Sequence, residues 1–337
     1  MSEIMEVNAN QADQPAAEGV LLPGQGAQHP GMGRDFAEAR ETARRTFEEA
    51  DRILGIPLSG WCWEEGDRVH RTDIAQPGIL TTSVAILRCL QEDGLDLGAA
   101  PVTLGLSLGE YTALWCAGSL TFEDALRLVR LRGEAMQEAS EKIPSSMTSL
   151  MGASAEVATE LAELGAQKGI CAVANLNAPG QVVVSGEIAA LEVVEAKAKD
   201  HGVKRAIRLT VAGGFHSECM RPAADRLAAA LDEVEVCAPR IPFLSNVTAA
   251  PLTDPSEIKE ALARQVCSPV LWEKSMAWCL EHGIDRFLEP GPGQVLAGLA
   301  RRIAKSTSSR VHVRGVCDPA DLGTPAGGCN PAPTSGR

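Results

Sequence analysis

The sequence predicts an α/β fold in which a larger α/β domain is interrupted by a smaller α+β subdomain. Short apolar runs typical of buried strands alternate with longer amphipathic stretches typical of helices. Between residues 141 and 205 the order of elements becomes β-α-β-β-α-β, the split pattern of ferredoxin-like folds. Because 337 residues exceed one ordinary domain, two domains or one domain with an insertion is the natural expectation.

Strands and helices alternate in the first part of the larger domain. The apolar run Gly19–Leu22 ends at the turn residues Pro23 and Gly24, which predicts a buried strand followed by a loop. A second apolar run, Pro101–Leu104, predicts the next strand. Hydrophobic residues at helical spacing predict helices over 34–54, 76–91, 111–115 and 122–139.

The predicted subdomain has four strands and two helices. The turn residues 177–180 separate its two middle strands. In chain order, the elements are a strand at 146–151, a helix at 155–168, strands at 170–176 and 181–185, a helix at 187–201 and a strand at 203–211.

The larger domain resumes after this insert and runs to about residue 305. Its remaining elements are helices at 221–231, 255–266 and 270–282, strands at 242–246 and 286–288, and a last helix ending near 304. We therefore assign 19–140 and 206–305 to the larger domain and 141–205 to the ferredoxin-like subdomain. Residues 1–18 and 317–337 lack periodicity, so we expect both ends to be flexible.

Composition excludes several classes of protein. A net charge of −13 argues against nucleic acid as a general partner. No apolar run approaches the roughly 18 residues of a membrane helix, and the amino terminus does not resemble a targeting segment. The ten cysteines are scattered without a C-x-x-C pair, so we expect reduced thiols, no zinc site and a cytoplasmic protein.

The stretch Gly105-Leu106-Ser107-Leu108-Gly109 follows one predicted strand and precedes a helix. A sharp turn between strand and helix exposes a serine hydroxyl at the mouth of an α/β sheet. The flanking glycines allow the strained turn, and free N–H groups at the helix N-terminus can hold an oxyanion. A G-x-S-x-G match alone is a weak signal, because glycine and serine are common in ordinary turns.

A nucleophilic serine needs a base. His216 lies in the loop Gly213–Ser217 after a predicted strand, and is the most plausible candidate, although such a histidine is more often a surface or capping residue. The loop Gly24-Gln25-Gly26 fits neither a dinucleotide-binding nor a phosphate-binding motif. It is either a structural turn or a source of a second oxyanion donor, the backbone N–H of Gln25.

Seven motifs occur together in one order, and this joint pattern is far more specific than any single motif. They are Pro23-Gly24-Gln25-Gly26-Ala27-Gln28, Gly105-x-Ser107-Leu108-Gly109-Glu110, Arg130-Leu131-Arg132-Gly133-x-x-Met136, Asn175-x-Asn177 with Val184-Ser185-Gly186, Phe215-His216-Ser217, Gln265-x-x-x-Pro269-Val270-x-Trp272, and Glu289-Pro290-Gly291-Pro292-Gly293-x-Val295-Leu296. Over residues 19–305 the chain resembles the malonyl-CoA:acyl-carrier-protein transacylases of fatty-acid synthesis and the acyltransferase domains of polyketide synthases.

The resemblance implies an α/β hydrolase-like larger domain and a ping-pong acyl transfer that needs no metal or other cofactor. Ser107 would attack malonyl-CoA with His216 as base, and a backbone carbonyl near Gln265 would hold the histidine. The N–H groups of Gln25 and Leu108 would form the oxyanion hole. Arg132 would bind the malonyl carboxylate in a two-pronged contact, whereas Arg127 and Arg130 are expected to be solvated. The thiol of a phosphopantetheinylated acyl carrier protein would then accept the acyl group.

One position departs from the family. Leu106 stands where the family usually has a histidine, which puts local packing in doubt but not the mechanism, because the base is expected at His216.

Two other functions fit parts of the pattern. An acyl-thioester hydrolase could use the same serine and histidine, but a hydrolase of neutral acyl chains gains nothing from a buried Arg132. A non-catalytic carrier-binding module would be expected to lack Ser107 or His216. For carrier docking the sequence offers two basic clusters, each of which could equally be a solvated helix face. They are Lys197, Lys199, Lys204, Arg205 and Arg208, and Arg301, Arg302 and Lys305.

Overall fold

The computed structural model describes residues 17–323, and its strands form two separate sheets. The strands are β1 (Gly19–Leu22), β2 (Thr103–Gly105), β3 (Ser145–Met151), β4 (Cys171–Ala178), β5 (Gln181–Glu187), β6 (Arg205–Arg208), β7 (Phe243–Leu244), β8 (Pro251–Leu252), β9 (Arg286–Pro290) and β10 (His312–Val316). The helices are α1 (Arg34–Ala39), α2 (Glu41–Leu54), α3 (Leu58–Trp63), α4 (Thr72–Glu92), α5 (Gly109–Cys116), α6 (Phe122–Lys142), α7 (Ala155–Gly165), α8 (Ile188–Ala198), α9 (Arg221–Asp232), α10 (Pro255–Gln265), α11 (Trp272–Glu281) and α12 (Val295–Ser306).

The larger sheet has the order β10-β9-β1-β2-β7-β8. All neighbours in it are parallel except β7 and β8, which are antiparallel. In the middle of the sheet Leu22, the last residue of β1, pairs with Gly105, the last residue of β2. The loops that follow these two strands therefore lie side by side at the carboxyl edge, where open α/β sheets place their sites.

The smaller sheet is antiparallel and has the order β4-β5-β3-β6. Its strands and the two helices α7 and α8 occur in the order β-α-β-β-α-β, as the sequence predicts. The helices cover the sheet through an apolar cluster of their own that includes Leu150, Leu161, Val184, Leu191 and Val194. The predicted fold class, an α/β fold with an additional α+β unit, is confirmed.

Two helices differ from the prediction. The stretch predicted as one helix over 34–54 is two helices, because the backbone of Arg40 is extended (φ −135°, ψ 125°) and interrupts the hydrogen bonding. Helix α4 begins at Thr72, four residues before the predicted start, and contains Pro77. A proline inside a helix leaves the carbonyl four residues earlier without its N–H partner. That carbonyl, of Asp73, accepts a hydrogen bond from the Arg130 guanidinium instead.

The predicted solvated state of Arg130 is therefore wrong. Its side chain is only 20% exposed and forms ion pairs with Asp73 and Glu134. A sequence pattern shows on which face of α6 Arg130 lies. It does not show that the carbonyl of Asp73 in α4 needs a hydrogen-bond donor at that place. Arg127 is the exposed arginine of this helix and pairs with Glu123.

The structure also shifts the predicted segment boundaries. Strand β6 ends at Arg208 and extends the small sheet past the predicted limit at 205, but it stops short of the predicted end at 211. Strand β10 follows the predicted end of the larger domain and pairs with β9.

Parts of both predicted flexible ends are ordered. The side chain of Glu18 forms an ion pair with Arg314 of β10. Residues Pro319–Gly323 form a 3-10 helix, in which the carboxylate of Asp321 accepts the N–H groups of Cys317 and Asp318. The remaining residues of the two predicted flexible ends, 1–16 and 324–337, lie outside the described residues.

Within residues 17–323, no helix is both long enough and apolar enough to cross a membrane.

Candidate active site

Ser107 lies in the turn between β2 and α5 with a left-handed backbone (φ 54°), which is unusual for a residue with a side chain. Neighbouring glycines make this turn possible. A Cβ on Gly105 would lie 2.0 Å from the carbonyl carbon of Gly109, and a Cβ on Gly109 would lie 2.2 Å from the carbonyl oxygen of Leu22. The predicted sharp turn is therefore present, and its geometry requires glycine at both flanking positions.

The side chain of Asn246, just beyond the end of β7, holds this turn through two hydrogen bonds. Its Oδ1 accepts the N–H of Ser107 at 2.6 Å, and its Nδ2 donates to the carbonyl of Gly105 at 2.7 Å. The side chain is fully buried. No motif in the sequence marks Asn246, although its place at the carboxyl end of a predicted strand is a usable signal.

His216 reaches the serine from the loop that follows β6, also with a left-handed backbone (φ 59°). Its Nε2 lies 2.8 Å from Ser107 Oγ, and its Nδ1 donates to the backbone carbonyl of Gln265 at 2.8 Å. Since Nδ1 carries the proton, Nε2 is free to accept one from the serine. Burial, followed by the nearby Arg132 charge, lowers the pKa of His216 to about 4, so the ring is neutral at neutral pH.

Arg132 projects from α6 and is only 1% exposed. Its guanidinium donates to Ser107 Oγ at 3.0 Å, to Gln265 Oε1 at 2.9 Å and to Gln76 Oε1 at 2.7 Å. Within the described residues, none of these acceptors is a carboxylate. Burial lowers the pKa of Arg132 below its ordinary value, although the nearby Glu110 carboxyl opposes that shift.

Gln265, at the end of α10, connects three parts of the site. Its backbone carbonyl holds His216, its Oε1 accepts from Arg132, and its Nε2 donates to the carbonyl of Ser107 at 2.9 Å. Nε2 also donates to the carboxylate of Glu110, which is fully buried and has its pKa raised by burial to about 7. The sequence predicts no role in the site for Gln76 or for Glu110, although Glu110 is the last residue of the serine motif.

The loops after β1 and β2 are in contact, since a Cβ on Gly24 would lie 2.3 Å from the carbonyl oxygen of Leu106. Within the described residues, the backbone N–H groups of Gln25 and Leu108 donate no hydrogen bond to protein atoms. Leu106 is partly buried and packs against the apolar cluster that includes Leu21, Leu104 and Leu296.

Within residues 17–323, no group of three or more His, Cys, Asp or Glu residues has an arrangement that could hold a metal ion.

A serine that contacts a neutral, buried histidine is suited to nucleophilic attack on an acyl carbonyl. The sequence profile of the acyl transferase domain family matches residues 21–317. The chain belongs to the acyl transferase family.

Two curated relatives of this acyltransferase are each named malonyl CoA-acyl carrier protein transacylase. The protein of Bacillus subtilis is 40% identical over 301 residues, which cover 89% of this chain and 93% of that protein. The protein of Escherichia coli K12 is 38% identical over 293 residues, or 86% and 93% of the two chains.

Solved structures resemble the acyltransferase over nearly its whole described length. An acyl carrier protein S-malonyltransferase from Vibrio cholerae superposes with a TM-score of 0.84 at 39% identity, and the match covers 90% of this chain and 98% of that one. A second match, at a TM-score of 0.86 and 38% identity, is to a complex of a type II polyketide-synthase acyl carrier protein with its malonyl-transacylase. It covers 91% and 97% of the two chains.

Proposed function

We propose that this acyltransferase moves a malonyl group from malonyl-CoA to the phosphopantetheine thiol of an acyl carrier protein. The observation that carries the proposal is Arg132, a buried cation that touches Ser107 Oγ and has only neutral hydrogen-bond acceptors. A planar guanidinium next to the nucleophile suits an acyl group that ends in a carboxylate. The names of the relatives agree with this substrate.

The first half-reaction makes a malonyl ester on Ser107. As Oγ attacks the thioester carbonyl, its proton passes to Nε2 of His216, 2.8 Å away. The negative charge that develops on the carbonyl oxygen is held by the N–H groups of Gln25 and Leu108. The carbon–sulfur bond then breaks, and His216 returns the proton to the departing CoA thiolate.

The second half-reaction repeats these steps with a different thiol. His216 takes the proton of the phosphopantetheine thiol, whose sulfur attacks the malonyl ester. When the ester bond breaks, the proton passes to Ser107 Oγ and the free enzyme is restored. Thioester and ester exchange without oxidation or reduction. The proton that Ser107 loses to CoA is replaced by the proton of the phosphopantetheine thiol, and His216 carries both, so the steps need no cofactor.

Arg132 also distinguishes the proposed function from the two alternatives. A hydrolase of neutral acyl chains would bury this charge without a substrate anion to pair with it, which costs several kcal/mol. A carrier-binding module without catalysis would not need a serine and a histidine in direct contact. Both alternatives therefore leave part of the site unexplained.

We place the carrier on the basic edge of the small sheet. A groove of about 700 Å³ beside β6 is lined by Lys199, Lys204, Arg205 and Arg208. Arg208 is neutralised there by an ion pair with Glu195, which leaves the other three as the available charges. An acidic carrier would be attracted to this edge despite the overall charge of −13. The second cluster, on α12, is the alternative dock; Arg302 donates there to the neutral side chain of Gln181 of β5 and keeps its charge.

We also place the reaction in the cytoplasm. All nine cysteines within residues 17–323 are free thiols, as in a reducing compartment.

The proposed function is tested by trapping the intermediate. After mixing with malonyl-CoA, intact-mass spectrometry should show a malonyl adduct on the wild type and none on Ser107→Ala. Without carrier, the wild type should release only about one CoA per enzyme, and continued release of CoA should require the carrier protein. Ser275→Ala is a matched control, because it removes another buried hydroxyl, on α11, that donates only to the carbonyl of Leu271, the residue before that helix. An adduct that persists in Ser107→Ala would refute the assignment of the nucleophile. Continued release of CoA without a carrier would favour the hydrolase.

A further inference from the structure

Glu110 is a fully buried carboxylic acid three residues after Ser107 in the first turn of α5. It touches neither Ser107 Oγ nor His216, yet it contacts both residues that hold them in place. We propose that Glu110 is a positioning residue that fixes Gln265 and Asn246, and through them aligns His216 with Ser107. This inference rests on the proposed acyl transfer.

The carboxylate divides its two oxygens between two segments far apart in the chain. Oε1 accepts the backbone N–H of Asn246, 136 residues away, and Oε2 accepts Nε2 of Gln265, 155 residues away. Glu110 thereby joins the nucleophile-bearing helix to the segments after β7 and at the end of α10. The first segment supplies Asn246, which holds the turn at Ser107, and the second supplies Gln265, which holds His216.

At Gln265, Glu110 decides which way the side-chain amide points. Because Nε2 faces Glu110 and the carbonyl of Ser107, Oε1 faces the guanidinium of Arg132. A flipped amide would present its NH₂ group to the arginine, where two donors would oppose each other. The same residue offers its backbone carbonyl to His216 Nδ1 at 2.8 Å, so the orientation of the imidazole depends on where Gln265 is held.

Glu110 accepts the backbone N–H of Asn246, and the side chain of Asn246 holds the turn at Ser107. The Asn246 side chain bonds the N–H of Ser107 and the carbonyl of Gly105, one on each side of Leu106. The left-handed backbone of Ser107 is strained and persists only where surrounding contacts hold it. The contact from Glu110 is one of these.

Only a carboxylate meets both requirements. It has two acceptor oxygens, whereas glutamine has one, so glutamine would turn an NH₂ group toward one of the two N–H donors. Burial raises the pKa of Glu110 to about 7, and the hydrogen bonds from Asn246 and Gln265 oppose that rise by favouring the ionised form.

The test compares Glu110→Gln with Glu289→Gln in the full-length enzyme. Glu289 is the matched control, because it is equally buried, has its pKa raised by burial to about 7, and accepts two backbone N–H groups at 2.9 and 2.7 Å, those of Leu296 and Ala297. For each variant we would measure the thermal midpoint, the single-turnover rate of malonyl-serine formation, KM for malonyl-CoA, and the NMR signal of the His216 Nδ1 proton.

Glu110→Gln should slow malonyl-serine formation by about 10- to 100-fold, the effect of losing one hydrogen bond to a charged group, and should leave KM nearly unchanged because Arg132 remains. The His216 Nδ1 proton signal should shift upfield or broaden as its bond to Gln265 loosens. Glu289→Gln should lower the thermal midpoint without changing the rate or this signal.

Two results would overturn the inference: a wild-type rate and unchanged His216 signal in Glu110→Gln, or equal losses of stability and rate in both variants with the signal unchanged. If the wild type forms no malonyl-serine at all, the proposed function fails instead. The His216 signal of the resting enzyme then decides the positioning role alone.

Discussion

Arg132 carries a buried charge whose hydrogen-bond acceptors are two neutral amides and a hydroxyl. In the resting enzyme its NH2 group donates to Ser107 Oγ, so the residue expected to bind the substrate also touches the nucleophile before substrate arrives. A bound malonyl carboxylate would draw the guanidinium away from Oγ and leave the hydroxyl to His216. Under the proposed function the arginine would therefore provide both selectivity for the malonyl group and a link between substrate binding and activation of the serine.

Removing this charge should affect malonyl and acetyl groups differently. A desolvated carboxylate without its cation costs on the order of 3–5 kcal/mol, so Arg132→Ala should lower kcat/KM for malonyl-CoA roughly a hundredfold or more. Acetyl-CoA carries no such charge, and its turnover should stay constant or rise. Arg127→Ala, on the exposed side of the same helix, is the control. Equal losses with both substrates would mean that Arg132 supports the fold rather than recognises the carboxylate.

The activity should depend on pH in two steps. His216 must be neutral to accept a proton, and its pKa of about 4 means that kcat/KM is lost completely only as the pH falls through that value. Glu110, with a pKa of about 7, gains a proton earlier and loses one acceptor, so a partial fall is expected as the pH drops through 7. Steady-state rates from pH 3.5 to 8.5 would show both steps.

In Glu110→Gln the step near pH 7 should be absent. Complete loss of wild-type activity near 6.5, where an ordinary histidine titrates, would contradict the depressed pKa of His216.

Local sequence patterns select Ser107, His216 and Gln25, and the family resemblance adds Arg132, Leu108 and Gln265; the structure brings these residues or their loops together. Motifs select residues whose neighbours along the chain are distinctive. Asn246 and Gln76 are distinctive only through their contacts, with partners 139 and 56 residues away. No periodicity or spacing encodes such a pairing, because it depends on how the helices and strands pack.

At the scale of elements, the sequence predicted best where one face of a strand or helix is uniformly buried. Strands β3 and β5 match their predicted spans closely, because their side chains pack under α7 and α8. The prediction failed at β6, whose pairing with β3 ends at Arg208 before the chain turns toward His216. Residues that follow the last paired position of a strand, on the way to a site, can still be apolar. The amino-acid composition therefore does not show that β6 ends at Arg208.

Strand β6 and the residue before it also carry the prediction on carrier docking. Reversing two charges with Lys204→Glu and Arg205→Glu should raise KM for the carrier about 5- to 30-fold at low salt, since each exposed pair contributes up to about 1 kcal/mol. KM for malonyl-CoA should not change, and added salt should reduce the difference. Arg45→Glu with Arg52→Glu on α2 is the matched control for net charge. An unchanged carrier KM at low salt would exclude this edge as the dock.

At the scale of the whole molecule, the two ends of the described chain are tied together. Glu18 precedes β1 in the middle of the larger sheet, and Arg314 lies in β10 at its edge. Their ion pair of 2.6 Å involves side chains only 6% and 8% exposed. The helix–strand alternation predicts the sheet, but a pair separated by 296 residues is apparent only in three dimensions.

Breaking this pair should be far more costly than breaking an exposed one. Glu18→Ala leaves the buried Arg314 without its partner and should lower the free energy of unfolding by about 3–5 kcal/mol. Glu92→Ala, which breaks an exposed pair with Arg40, should change the free energy of unfolding far less. Urea unfolding of both variants measures the difference, and a loss under 1 kcal/mol for Glu18→Ala would refute the structural role of the pair.

One serine and one histidine serve both halves of the proposed transfer, and this has a consequence for metabolism. The bond broken and the bond finally made are both thioesters of the same acyl group, so the overall exchange releases almost no free energy. Such an enzyme runs as readily backward as forward. The fraction of carrier that bears malonyl would then follow the ratio of malonyl-CoA to free CoA in the cell, and only the consumption of the loaded carrier by a later reaction would give the exchange a direction.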